Sequence, residues 1–145
     1  MYDVRNVFGI KRAKIDFHEE ILNGFPFSWA RSVQRHLDMS DKDLANFMCI
    51  SISTFRRIKR EKRKFSRKAS DRLYRLAALF AWAVDVLHSK EDARKWLTSP
   101  HPLLNGRIPI ELAETDPGKI LVENILQQDK AWHSFVKIRC FKRKI

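Results

Sequence analysis

In the stretch DKDLANFMCISISTFRRIKR, residues 41–60, the side chains of Ser51, Ser53, Thr54, Arg56, Arg57, Lys59 and Arg60 crowd together on a framework of apolar residues at helical intervals. Hydroxyls and ammonium groups bond to phosphate oxygens, and a guanidinium can also read the edge of a guanine through two parallel hydrogen bonds. That is the chemistry of DNA recognition. The apolar residues supply its scaffold. With Asp41 opening the unit, Leu44, Ala45 and Met48 form the inner face of one helix, Ile50 plugs a turn, and Phe55 and Ile58 form the inner face of a second, the spacing of a helix-turn-helix. Ala45 falls where the two helices cross and a small side chain is needed. Ser53 or Thr54 is placed to cap the second helix. Its outer face is Ser51, Ser53, Arg56, Arg57, Lys59 and Arg60. Cys49 stands where many such units place a glycine, which a relaxed turn can accommodate.

The charge distribution supports a polyanion partner. The 145-residue chain carries a formal net charge of +12. Residues 56–75 hold eleven Lys/Arg against two acids, residues 76–136 six against eight, and the last nine residues, KIRCFKRKI, five against none. Solvated helix faces also collect lysine and arginine, but here the cluster coincides with the motif. With 44% hydrophobic residues the chain can bury a core. Its longest apolar run, residues 76–84, is too short for a bilayer, and MYDVRNVFGIKRAK has no apolar signal region, so a cytoplasmic location without membrane contact is expected. Cys49 and Cys140 lie in unlike contexts and predict no structural disulfide.

The elements that must position these residues read as all-α. A short helix over residues 16–23 closes at Gly24. Ser28 caps a helix through Leu37 with Trp29, Val33 and Leu37 on its apolar face. After the helix-turn-helix, Ser66 caps a long spine to about His88, along which Leu73, Leu76, Ala77, Phe80, Val84 and Leu87 recur at intervals of three and four. Ser89 caps a helix through Leu97, TSPHPLLNGR is a Pro/Gly-punctuated loop, Pro109 opens a short helix, and Thr115 caps a last one to about Trp132. The resulting division is an N-terminal extension over 1–26, a helix-turn-helix domain with its spine over 27–88, a C-terminal domain over 89–132 and a basic tail over 133–145. In the tail, Val136, Ile138 and Cys140 alternate with Lys137 and Arg139 as in an edge strand, while KRKI suits a disordered arm.

Catalysis finds no support. The five histidines are scattered without metal-ligand spacing, and no phosphate loop or nucleophile elbow is present. The turn-spaced pairs Asp85/His88, His88/Asp92 and Glu111/Glu114 are ordinary solvated neighbours. No enzyme activity, cofactor or metal is expected.

The loop segment is the second informative stretch. Trp96-Leu97, Pro100-His101-Pro102, Leu104, Gly106-Arg107-Ile108-Pro109, Leu112 and Thr115-Asp116-Pro117-Gly118 follow one another in order. Together with GFPFSWARSVQRHLDMS, the helix-turn-helix and the spine, this series resembles the Xre/MbcA/ParS-type antitoxins of RES-Xre toxin–antitoxin pairs, over about residues 24–127. The resemblance implies a helix-turn-helix bundle joined by a long helix to a small helical toxin-binding domain. It further implies binding to double-stranded operator DNA of the chain's own operon, a homodimer, and a RES-domain toxin that degrades NAD as partner, its active site occluded by the C-terminal region. The expected toxin-binding residues are Pro100, Pro102, Leu103, Leu104, Asn105, Gly106, Arg107 and Pro109, with Leu103 and Leu104 at the crest of a rigid loop. Each also has a plainer account: prolines stiffen any loop, Trp96 and Leu97 suit burial against the spine, and Arg107 suits capping carbonyls or pairing with Glu111 or Glu114 as well as meeting a partner. Past Gln127 the chain continues as QDKAWHSFVKIRCFKRKI, beyond the family pattern. Two other functions use less of the sequence. A stand-alone repressor leaves the C-terminal half as a dimerisation domain, and a non-specific basic nucleic-acid binder leaves the ordered helix-turn-helix without purpose.

Overall fold

A computed structural model describes residues 2–143, with side chains described as far as Asp129. The chain is all-α. It runs α1 (Val4–Phe8), α2 (Phe17–Asn23), α3 (Phe27–Leu37), α4 (Asp41–Phe47), α5 (Ile52–Glu61), α6 (Arg67–Leu87), α7 (Lys90–Thr98), a 3-10 turn (Pro102–Leu104), α8 (Pro109–Leu112) and α9 (Asp116–Arg143). The described residues contain no strand, only an isolated bridge between Pro26 and Lys64. No helix among them is long and apolar enough to cross a membrane. Two compact units result, Met1–Ala81 and Trp82–Ile145, and α6 has residues in both.

The first unit is built around aromatic rings. Phe8 stacks on Trp29 with centroids 5.1 Å apart and meets Phe25 edge-on at 5.3 Å, while Phe27 meets Phe55 at 5.5 Å. Pairs of this geometry add roughly 0.5–1.5 kcal/mol each beyond the area they bury. α1 was not expected from the sequence. It is opened by a capping box between Asp3 and Asn6 and closed by Gly9, and it buries Val7 and Phe8. The Ser32 hydroxyl on α3 donates to the Val7 carbonyl at 2.6 Å, so the N-terminal segment is fastened to the same core as the helix-turn-helix.

α2 is capped by Asp16 and closed by Gly24, as its sequence signals. Gly24 is required where it stands: φ is +88°, and a Cβ there would lie 2.3 Å from the Phe65 carbonyl oxygen. α3 begins earlier than expected, with Pro26 rather than Ser28 at its N-cap and no side-chain cap bond, because proline pre-sets the backbone and Ser28 already lies in the first turn. Its expected apolar face, Trp29, Val33 and Leu37, is buried. Ser66 caps α6 by accepting the Ala69 N–H at 3.2 Å, and Leu73, Leu76, Ala77, Phe80, Val84 and Leu87 are all buried.

In the second unit Ser89 caps α7 through the Asp92 N–H, and Thr115 opens α9 by accepting the Gly118 N–H at 3.1 Å. Gly118 is tolerated by nothing larger, since a Cβ would sit 1.8 Å from the Leu112 carbonyl oxygen at the end of α8. α9 does not stop near Trp132. It continues to Arg143, so the expected edge strand or disordered arm is replaced by helix through that residue. The alternation of Val136, Ile138 and Cys140 is compatible with either period over so few residues. The side chains of that tail, Cys140 among them, lie outside the described residues; Cys49 is a free, exposed thiol.

Candidate nucleic-acid interface and partner-facing loop

α4 and α5 form the helix-turn-helix. Ser40 caps α4, whose Leu44, Ala45 and Phe47 are buried, and Met48 follows at 1% exposure. Phe47 is a core residue the sequence pattern missed, because it falls beside Met48 rather than on the strict stripe. The turn keeps the left-handed backbone that the motif calls for: Cys49 sits at φ +56°, so it does not relax away from the conformation a glycine would take. Ile50 is half-buried, and its N–H donates to the Ala45 carbonyl at 3.0 Å.

α5 is capped by neither Ser53 nor Thr54. Ser51 holds that position, accepting the Thr54 N–H at 3.0 Å and donating its hydroxyl to Thr54 Oγ1 at 2.9 Å. The expectation failed by a few residues because all three positions carry hydroxyls and only the last extended residue before the helix can cap it. Phe55 and Ile58 are buried and aim α5 outward. Ser51, Ser53, Arg56, Arg57, Lys59 and Arg60 are consequently exposed, and Thr54 is half-buried.

These cations are not equivalent. Lys59 Nζ lies 3.6 Å from Asp41 Oδ2, and Arg60 lies 3.9 Å from Glu61. Arg56 and Arg57 have no ion-pair partner among the described residues. Asp41 is itself held from behind by Gln34, whose amide donates to Oδ1 at 2.8 Å. That hydrogen bond first, then the charges of Lys59 and Arg31, keeps the Asp41 carboxyl below its ordinary pKa. The Gln34–Asp41–Lys59 chain thereby ties α3 to both helices of the motif.

In the second unit the loop after α7 is strapped by one carboxylate. Asp129 Oδ2 accepts the Trp96 indole N–H at 2.8 Å and lies 2.5 Å from His101 Nε2. His101 Nδ1 accepts the Leu103 N–H at 3.1 Å, so the ring donates to Asp129 through Nε2. The loop then closes on itself, the His101 N–H donating to the Arg107 carbonyl at 3.1 Å across Asn105 at φ +58° and Gly106 at φ +76°. Arg107 Nε donates to the Leu104 carbonyl at 2.9 Å, the internal cap among its alternatives. The sequence did not reveal this strap, since Trp96, His101 and Asp129 are brought together across 33 residues and share no local pattern.

The strap settles which loop side chains face outward. Leu103 is 58% exposed, but Leu104 is 1% exposed and Pro109 is buried, so those two belong to the core and not to the crest. A 3-10 turn of three residues points successive side chains in opposite senses, which separates the two leucines. Pro100, Pro102, Asn105, Gly106 and Arg107 are exposed. Ile120 and Leu121 on α9, at 58% and 38%, are the other exposed large apolar residues of this unit. No group of three or more His, Cys, Asp or Glu side chains that could hold a metal occurs among the described residues.

Two family models match the chain. The model of the antitoxin Xre-like helix-turn-helix domain matches residues 16–78, and that of the antitoxin Xre/MbcA/ParS C-terminal toxin-binding domain matches residues 83–129. A relative called antitoxin Xre, from Pseudomonas putida (strain KT2440), is 28% identical over 116 residues, which cover 78% of this chain and 70% of the relative.

Proposed function

An Xre-like helix-turn-helix domain followed by an Xre/MbcA/ParS toxin-binding domain is the make-up of an Xre-type antitoxin, and from that premise we propose a non-enzymatic, two-surface regulator. One surface, the outer face of α5, binds double-stranded operator DNA of the chain's own operon. The other, the strapped loop from Pro100 to Arg107 with Leu103 at its crest, docks on a RES-domain toxin and occludes its NAD cleft. The protein acts as a cytoplasmic homodimer, so its operator is an inverted repeat with half-sites about one helical turn apart, or a multiple of that.

The observation that carries the reading is the pairing, in one chain, of an outward basic helix with a preorganised loop bearing an exposed leucine. A loop already fixed by hydrogen bonds loses little entropy on docking. A stand-alone repressor would leave the toxin-binding domain match unused. Co-expression with the adjacent gene tests the proposal: copurification, with cellular NAD preserved only while the antitoxin is present, is the expected result. A partner that leaves NAD untouched removes the RES assignment, and no copurification removes toxin neutralisation. Titration of the upstream duplex tests the DNA arm, where Arg56→Ala and Arg57→Ala should each lose binding, by roughly 1–3 kcal/mol of discrimination if the side chain reads a base.

A further inference from the structure

The basic surface continues past the end of α5, where it is built differently. Lys62, Lys64 and Lys68 are exposed, and none has an ion-pair partner among the described residues. The carboxylates of that stretch are engaged elsewhere: Glu61 with Arg63 at 2.7 Å and Arg60 at 3.9 Å, and Asp71 with Arg75 at 3.2 Å.

The backbone carrying these lysines is fixed at several points. Lys62 closes α5 in the left-handed region at φ +53°, its N–H donating to the Ile58 carbonyl. The Arg63 N–H also donates to Ile58, at 3.1 Å. Lys64 forms the bridge to Pro26, and the N–H of buried Phe65 donates to the Phe25 carbonyl at 2.9 Å. Ser66 then caps α6, and Lys68 stands in its first turn. Three uncompensated ammonium groups are thus presented from a pinned segment just beyond the C-terminal end of α5.

A helix-turn-helix sets the N-terminal residues of its second helix against base edges, so the chain that follows the helix leaves the groove beside the sugar–phosphate backbone. Lysine is a compact point charge on a flexible stem, suited to phosphate and not to bidentate base reading. We propose that Lys62, Lys64 and Lys68 form a phosphate-gripping ledge that sets how tightly the chain holds any duplex DNA and leaves the choice of sequence to α5. The ledge rests on the reading of α5 as the DNA-contacting helix. Duplex DNA is favoured over RNA because the ledge continues from a helix, and only the B-form major groove is wide enough to admit one.

The test compares the full chain with Lys62→Gln/Lys64→Gln/Lys68→Gln, titrating each with the upstream duplex and a scrambled duplex over a range of salt. Each phosphate contact contributes about 0.9 to the slope of log affinity against log salt, so three lost contacts should flatten it by about 2.7. Both duplexes should weaken by the same factor, preserving their ratio. The single variant Lys68→Gln should flatten the slope by about 0.9, which guards against a fold defect in the triple variant. An unchanged slope overturns the ledge, as does a changed ratio at constant slope or tighter binding to RNA than to either DNA. Failure of the unaltered chain to bind any duplex would instead remove the α5 reading, and the ledge with it.

Discussion

Cys49 holds a conformation that L-residues avoid, and it does so with its side chain exposed, so nothing packs against the thiol to offset the strain. A left-handed L-residue costs about 1–2 kcal/mol, while glycine carries about 0.4–1 kcal/mol of extra unfolded-state entropy. Cys49→Gly should therefore stabilise the first unit slightly, raising its thermal midpoint by about 1–3 °C, and Cys49→Val should lower it. A lower midpoint for the glycine variant would show that the thiol makes a compensating interaction. Asp41 gives a second prediction at this scale. Its carboxyl is held below the ordinary 3.8 by Gln34 and by the charges of Lys59 and Arg31, so its contribution is complete above that value and disappears as pH falls through the lower, folded-state pKa. In denaturant titrations Asp41→Asn should be less stable than the unaltered chain at pH 6, with the gap closing as pH falls below 4. A gap that widened in acid would mean that the Gln34 and Lys59 contacts do not stabilise the charged form. Gln34 itself was invisible in the sequence, since a buried glutamine leaves no periodic signal and its role depends on a residue in another helix.

The elements that were legible are those long enough to repeat a pattern or marked by a cap. α6 shows both, a Ser66 cap and six buried apolar positions at helical intervals. α1 shows neither clearly, because five residues hold little more than one turn, and its evidence is the reciprocal Asp3/Asn6 bond and the closing Gly9. The end of α9 was missed for the opposite reason: no glycine or proline follows Gly118 to stop it, and the alternating apolar residues near the terminus competed with the helical period. Between α8 and α9 the Thr-x-x-Gly step has a physical cause that the sequence alone did not supply. Thr115 caps the helix, and Gly118 makes room for the Leu112 carbonyl. Alanine ordinarily gains about 1 kcal/mol over glycine inside a helix. Gly118→Ala should reverse that sign, because the Cβ cannot be placed without moving the end of α8, and thermal unfolding should show the second unit destabilised. A stabilised variant would mean that α8 yields freely.

At the scale of the whole molecule, the two surfaces fall in different units. The outer face of α5 lies in the unit Met1–Ala81 and the strapped loop in the unit Trp82–Ile145, so damage to one should leave the other intact. The sequence anticipated this separation from its charge asymmetry, yet placed both Leu103 and Leu104 at the loop crest. The difference between them decides how the separation is tested. Leu104→Asp would put a charge into the core of the second unit and unfold it, whereas Leu103→Asp alters a side chain that is already in solvent. Leu103→Asp should therefore keep its thermal midpoint and its affinity for the upstream duplex. If Leu103 docks on the toxin, the new carboxylate is buried unpaired in the complex, at a cost of several kcal/mol, and copurification and rescue of toxin-expressing cells should both fail. A variant that still rescues and copurifies moves the docking surface off the loop. Ile120 and Leu121, the other exposed apolar residues of the unit, would be the next positions to substitute. Loss of DNA binding in the same variant would mean that the two units do not act independently, and the two-surface regulator would have to be redrawn as a coupled one.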